Sequence, residues 1–202
     1  MSRGALQETV ASDKFSLDEW YDLPEDVPGE LVGGYLVEEE VASYLHEFLV
    51  ILVGRVLADW ILPRGGLVAA SDAKFGISPQ QGRKPDLTVY FPGRPFPASQ
   101  GVITTPPDIV IEIVSPSPRD GRRDRIDKLT DYAAFGVRYY WILDPQLRSL
   151  EILELGPHGR YTHALGASAG VLDRIPGCEG LTLDLDGFWS EIDRVIQAQE
   201  SG

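Results

Sequence analysis

Leu45, Phe48, Leu49, Leu52, Val56 and Leu57 recur at intervals of three and four residues, the period of one helix face. They predict a long amphipathic helix over residues 41–62, stopped by Pro63 and Gly65-Gly66. Upstream, Ser16 followed by Glu19 has the form of a capping box opening a short helix through Tyr21, closed by Pro24 and Pro28. Residues 30–37 alternate around Gly33-Gly34 and predict a hairpin. Downstream of the long helix, β-branched and aromatic runs bounded by Gly and Pro predict strands over Leu67 to Ile77, Asp86 to Phe91 and Ile109 to Val114. A helix is expected from about Arg122 to Phe135, with Ile126, Leu129 and Ala133 on its apolar face and Gly136 as its stop. Then follow a strand over Val137 to Leu143, a hairpin over Leu150 to Leu155 and Arg160 to Ala164, and a terminal helix over Ser190 to Gln199. Residues 1–13 lack periodicity and are expected to form a flexible terminus ahead of a single domain over 14–202. The order of elements is that of an α/β fold with a mixed sheet flanked by helices.

One strand breaks its own pattern. In Ile109-Val110-Ile111-Glu112-Ile113-Val114, alternation puts the isoleucines on one face and Glu112 between two valines on the other. A carboxylate among apolar neighbours is unfavourable unless something pairs with it. The structural alternative is a glutamate reaching solvent or an arginine. Asp86, at the head of the preceding strand in Lys84-Pro85-Asp86, has its own alternative as a turn residue satisfying backbone amides. Taken together, two carboxylates on two strands followed by a basic helix suit a hard divalent cation acting on an anionic substrate. Lys128 lies on that helix, where a lysine can orient the attacking water or neutralise developing charge. Its structural alternative is an exposed lysine pairing with Asp124 or Asp131.

Charge changes the picture. The 202 residues carry a net charge of −13, which opposes nonspecific affinity for a polyphosphate. The exception is local: Arg119, Arg122, Arg123, Arg125 and Lys128 outnumber the acids within residues 119–128, just beyond the Glu112 strand. These arginines are candidates for steering or clamping phosphate, with solvated helix-surface charge as the alternative. No apolar run is long enough for a membrane span and no basic-then-apolar leader is visible, so a soluble cytoplasmic protein is expected. Cys178 stands alone, which excludes a disulfide framework and a thiolate zinc cluster. Other signals carry less. Glu38-Glu39-Glu40 reads as a solvated acidic turn, and His46 as a histidine at the edge of the core or on the helix surface, within reach of a substrate. Asp184-Leu185-Asp186-Gly187 lacks the closing glutamate of a calcium loop and reads as a turn. Trp141 and the tyrosines beside it read as core.

The succession of motifs is more specific than any single one. Glu30-Leu31-Val32 with Gly34, Pro85-Asp86-Leu87-Thr88-Val89, Ile111-Glu112-Ile113-Val114-Ser115-Pro116-Ser117, Asp124 to Lys128-Leu129, Tyr132, Gly136-Val137 and Tyr140-Trp141-Ile142-Leu143-Asp144-Pro145 stand in order. This series resembles the Uma-two family of restriction-endonuclease-like proteins, a branch of the PD-(D/E)XK phosphodiesterase superfamily. The resemblance spans roughly residues 16–190 and implies a restriction-endonuclease-like core with Asp86 and Glu112 as metal ligands. The superfamily pattern places a lysine two residues after the second acid, where this chain has Val114. The resemblance therefore implies a lysine moved to the next helix, Lys128, with Lys74 and Lys84 as the other candidates. Glu30 matches a family element and is a candidate for the metal shell. The resulting expectation is a Mg²⁺-dependent (or Mn²⁺-dependent) endonuclease cutting DNA. Asp86, Glu112 and the Ile113 carbonyl would hold the ion, Lys128 would assist water, and two copies would form a homodimer for double-strand cutting. The competing expectations are a nuclease-fold binding or regulatory protein, favoured by the acidic balance and Val114, and a hydrolase of a small phosphorylated substrate.

Overall fold

The computed structural model describes residues 14–24, 27–37, 43–70, 73–115 and 123–200. The expected loose terminus, the acidic turn Glu38-Glu39-Glu40, Arg119 and Arg122 lie outside the described residues. Helix α1 (Leu17–Tyr21) opens on the capping box read from sequence: Ser16 Oγ accepts from Glu19 N, and Glu19 Oε2 accepts from Ser16 N at 2.8 Å. Its Trp20 is buried. Strands β1 (Glu30–Val32) and β2 (Tyr35–Val37) pair in the expected hairpin. Gly33 and Gly34 take φ of 61° and 88°, a left-handed turn that side chains other than glycine resist. Helix α2 (Tyr44–Ile61) is capped by Ser43 and ends in a tight turn, Leu62–Arg64, with Gly65 left-handed beyond it.

The expected strand over 67–77 is instead two strands in two sheets. Strand β3 (Leu67–Ala70) joins β6 (Leu87–Tyr90), while β4 (Phe75–Ser78) joins the short β5 (Gln81–Arg83) and, through it, β1. Nothing in the hydrophobic run marks that change of partner, and β5, built around Gly82, reads as a turn in sequence. Among the described residues a small sheet runs β2-β1-β5-β4. The central sheet continues from β6 to β7 (Ile109–Ile113), β8 (Tyr139–Asp144), β9 (Ser149–Leu155) and β10 (Tyr161–Ala167), in the order β10-β9-β8-β7-β6-β3. It is mixed: β7 and β8 are parallel and the other neighbours antiparallel. Between β7 and β8, a wide π-type turn, Arg123–Asp127, leads into α3 (Lys128–Phe135), which stops at a left-handed Gly136. Strands β11 (Val171–Leu172) and β12 (Leu183–Asp184) and helix α4 (Leu185–Glu200) complete the chain. Helix α4 begins five residues earlier than read from sequence, because Asp184 Oδ1 accepts from Gly187 N and caps it, so the Asp-Gly pair lies in the first turn.

Alternation decides which layer each strand residue meets. Leu87, Val89, Ile109, Ile111, Ile113, Trp141 and Leu143 pack on one face against Leu49, Val53, Leu57 and Ile61 of α2 and Phe188 and Trp189 of α4. Val110, Val114, Tyr140 and Ile142 face the other way and pack around Tyr132 of α3. Cys178 is a core residue, its thiol pushed up to about 12 by burial. Ile126 is a correction to the expected helix face. It is 55% exposed, because the turn ahead of α3 shifts the register and gives the inward positions to Lys128 and Tyr132.

Candidate active site

Pairing between β6 and β7 sets Leu87 opposite Ile111 and Thr88 opposite Val110, so Asp86, just ahead of β6, lies beside the last residues of β7. Both acids therefore sit at the end of the sheet where β6 begins and β7 finishes. Asp86 is held there on one oxygen: Oδ2 accepts from Ile113 N at 2.6 Å and lies 3.2 Å from Nε2 of His46 in the first turn of α2. Among the described residues, no hydrogen bond reaches Oδ1. His46 is thus a histidine at the edge of the core, tied to the candidate acid. Burial alone would lower its pKa, but the hydrogen bond and charge of Asp86, with Glu47 nearby, raise it.

Glu112 is 2% exposed. Its oxygens are gripped from one helix: Lys128 Nζ donates to Oε2 at 2.9 Å and Tyr132 Oη donates to Oε1 at 2.5 Å. Positions 128 and 132 are four apart, hence stacked on one side of α3. Lys128 is itself only 4% exposed, which excludes the solvated surface lysine, and Asp131 is engaged elsewhere. Two residues absent from the sequence-based candidates emerge here. Tyr132 belongs to the motif series, and its spacing from Lys128 was the available signal. Arg83, 1% exposed, joins Glu30 to Asp131: Nη1 donates to Glu30 Oε2 at 2.5 Å, and Nε and Nη2 to Asp131 Oδ2 at 2.8 and 2.6 Å.

Glu30 is fully buried. Its Oε1 accepts from Lys84 N at 3.0 Å and lies 3.8 Å from Lys128 Nζ. Burial alone would raise its pKa; the charges of Lys128 and Arg83 and the Lys84 N–H outweigh that and hold it below its usual range. It therefore stands behind the lysine, with Arg83 on its other oxygen. Lys74 is placed elsewhere, donating to the carbonyls of Trp20 and Tyr21 at 2.9 and 3.1 Å. Lys84 donates its backbone N–H to Glu30 Oε1. Arg125 sits against Asp144 at 3.0 Å and Glu151 at 3.3 Å, tying the turn before α3 to the ends of β8 and β9. Arg123 lies in that same turn. A cavity of about 540 Å³ opens at the other end of β6, between Trp60, Arg64, Phe91 and Gly180, away from the acids.

Asp86 and Glu112 are oxygen donors of the type that Mg²⁺ takes. Among the described residues no group of three or more His, Cys, Asp and Glu side chains is arranged to hold a metal. Two carboxylates, Asp86 and Glu112, lie at the end of β7, and one Asp86 oxygen accepts no hydrogen bond from the described residues. Mg²⁺ commonly takes one or two carboxylates and completes its shell with water and substrate phosphate. No helix among the described residues is long and apolar enough to cross a membrane.

The family described as "Putative restriction endonuclease", Uma2, matches residues 16–186, most of the chain. The chain belongs to the Uma2 family. Membership supports a nuclease function. A similar fold is seen in a crystal structure at 1.96 Å of a "putative nuclease belonging to DUF820" from Anabaena variabilis, with a TM-score of 0.68. The two are 19% identical, and the match covers 88% of this chain and 99% of that one. The likeness shows the shared architecture, a mixed central sheet flanked by helices. No curated protein matches the chain.

Proposed function

We propose that this Uma2 protein is a Mg²⁺-dependent endonuclease that hydrolyses phosphodiester bonds in DNA, with Mn²⁺ able to replace Mg²⁺. The observation that carries the reading is the hydrogen bond from the Ile113 N–H, next to Glu112, to Asp86, with the buried Lys128 ammonium on Glu112. Asp86, Glu112 and the carbonyl of Ile113 would hold the ion. When bound, it polarises the scissile phosphate and makes its water more acidic. The chain's own groups do the rest. His46 and the Ile113 N–H fix Asp86 through Oδ2 and leave Oδ1 for the ion. Lys128, supported by Glu30 behind it, keeps a positive charge beside the place where negative charge develops. Arg123, with Arg119 and Arg122, would steer phosphate toward the site. Two copies forming a homodimer would let both strands be cut.

Nicking of supercoiled plasmid with Mg²⁺ tests this. Wild type is expected to nick, and Asp86→Ala and Glu112→Ala to fall to the no-enzyme background while remaining folded. Equal nicking by all three proteins would remove the site assignment. A second reading, a nuclease-fold binding protein without turnover, is favoured by the charge of −13 and by Val114 in the lysine position of the superfamily. Mn²⁺ binding without cleavage of any nucleic acid would select it.

A further inference from the structure

We infer that Tyr132 is a positioning residue of this site, its hydroxyl fixing the plane of the Glu112 carboxylate so that the group meets a divalent ion in one orientation. The inference rests on the metal-site reading above. A carboxylate can turn about its terminal bond, and that rotation is broad and weakly restrained by itself. For Glu112 two donors on different oxygens stop it: Tyr132 Oη on Oε1 at 2.5 Å and Lys128 Nζ on Oε2 at 2.9 Å. The lysine stem is long and rotatable, whereas the phenol is rigid, with two torsions and a planar ring. The ring is also the better anchored of the two. It is 1% exposed and packs on Tyr140 at 5.1 Å between centroids, and Tyr140 in turn packs on Tyr161 at 6.0 Å. Tyr161 is tied by its hydroxyl to the Val137 carbonyl at 2.7 Å. A stack of three tyrosines from α3, β8 and β10 thus runs from the sheet edge to a single carboxylate oxygen.

In this hydrogen bond the phenol is the donor and the carboxylate the acceptor. Partners of metal-binding carboxylates commonly set affinity by 10- to 100-fold, and the sign of the effect separates two roles here. A hydroxyl that merely drained charge from the carboxylate would, on removal, leave a more basic group and a tighter site. A hydroxyl that orients the carboxylate would, on removal, leave a looser one.

Mn²⁺ binding by calorimetry, without nucleic acid, reads this directly. Tyr132→Phe keeps the ring and removes only the donor. It is expected to weaken Mn²⁺ binding by about tenfold or more with an unchanged circular dichroism spectrum; unchanged or tighter binding would overturn the inference. A second measurement does not depend on that variant folding. With 3-fluorotyrosine at position 132, the ¹⁹F resonance should shift as Mg²⁺ is added, with the midpoint of metal binding, and the shift should vanish in Glu112→Ala. A resonance that stays put while Mg²⁺ binds at Asp86 and Glu112 overturns the positioning role and leaves the metal site standing. Metal binding that survives both Asp86→Ala and Glu112→Ala, or is missing from wild type, overturns the site reading and the inference together.

Discussion

Two buried clusters of opposite charge lie within a few residues of each other, and they are built differently. In one, Arg83 spreads a rigid guanidinium between Glu30 and Asp131, and Gln81 adds a further donor to the same Asp131 oxygen at 2.7 Å. In the other, Lys128 and Tyr132 each contact one oxygen of Glu112, and the N–H of the next residue, Ile113, holds Asp86 on one oxygen. The first cluster joins β1, β5 and α3 and touches the second only where Glu30 Oε1 lies 3.8 Å from Lys128 Nζ. The second opens at the end of the sheet onto Asp86, whose side chain is 18% exposed. A planar fork saturates carboxylates and suits a strut. A point-charge ammonium on a flexible stem suits a site in which the charge on a neighbour changes during reaction. The difference teaches that burial of an acid does not mark function by itself; what its partners leave open does.

Separating variants sharpen or break this contrast. Arg83→Met should have the largest effect, leaving Glu30 and Asp131 without their shared cation. Removing one partner of a buried pair destabilises by about 3–5 kcal/mol, measured as a lower urea midpoint with an unchanged slope. Its residual activity per folded molecule should stay close to wild type. Lys128→Met should do the reverse on activity: turnover falls by about 10²–10³ in protein that remains folded, read by single-turnover cleavage. An inverted result, with cleavage lost per folded Arg83→Met molecule and kept by Lys128→Met, would exchange the roles of the clusters.

The smallest effect is a dependence on pH. Glu30 has a folded-state pKa below its ordinary value of 4.5, burial being outweighed by Lys128, Arg83 and the Lys84 N–H. A lowered pKa contributes stability that is present above the unfolded value and lost as pH falls through the folded one. The stability gap between wild type and Glu30→Gln should therefore be widest near neutral pH and narrow as the solution is acidified below about 4.5. Denaturant unfolding at a series of pH values checks this, and a gap that widens on acidification would contradict it.

How much of this was readable beforehand depends on the range of the interactions. The inward face of Glu112 follows from Val110 and Val114 on either side of it, a local pattern with a period of two. The ends of α1 and α2 follow from Ser16 with Glu19 and from Pro63 with Gly65, which are local signals as well. The burial of Lys128 was not local. In sequence Lys128 reads as an exposed lysine pairing with Asp124 or Asp131, and only the approach of β1 and β7 turns it inward. Arg83 was hidden for the same reason: Gln81–Arg83 becomes a strand through pairing with β1 and β4, not through its own sequence. The break between β3 and β4 was invisible because a hydrophobic run does not record which sheet each half will join.

Anomalous diffraction from crystals soaked in Mn²⁺ addresses the pairing of Asp86 with Glu112 most directly. A single strong peak is expected within about 2–2.5 Å of a carboxylate oxygen from each acid, close to the Ile113 carbonyl, with the Lys128 ammonium beside it. A peak elsewhere on the chain, or none in this place at millimolar Mn²⁺, would contradict the account.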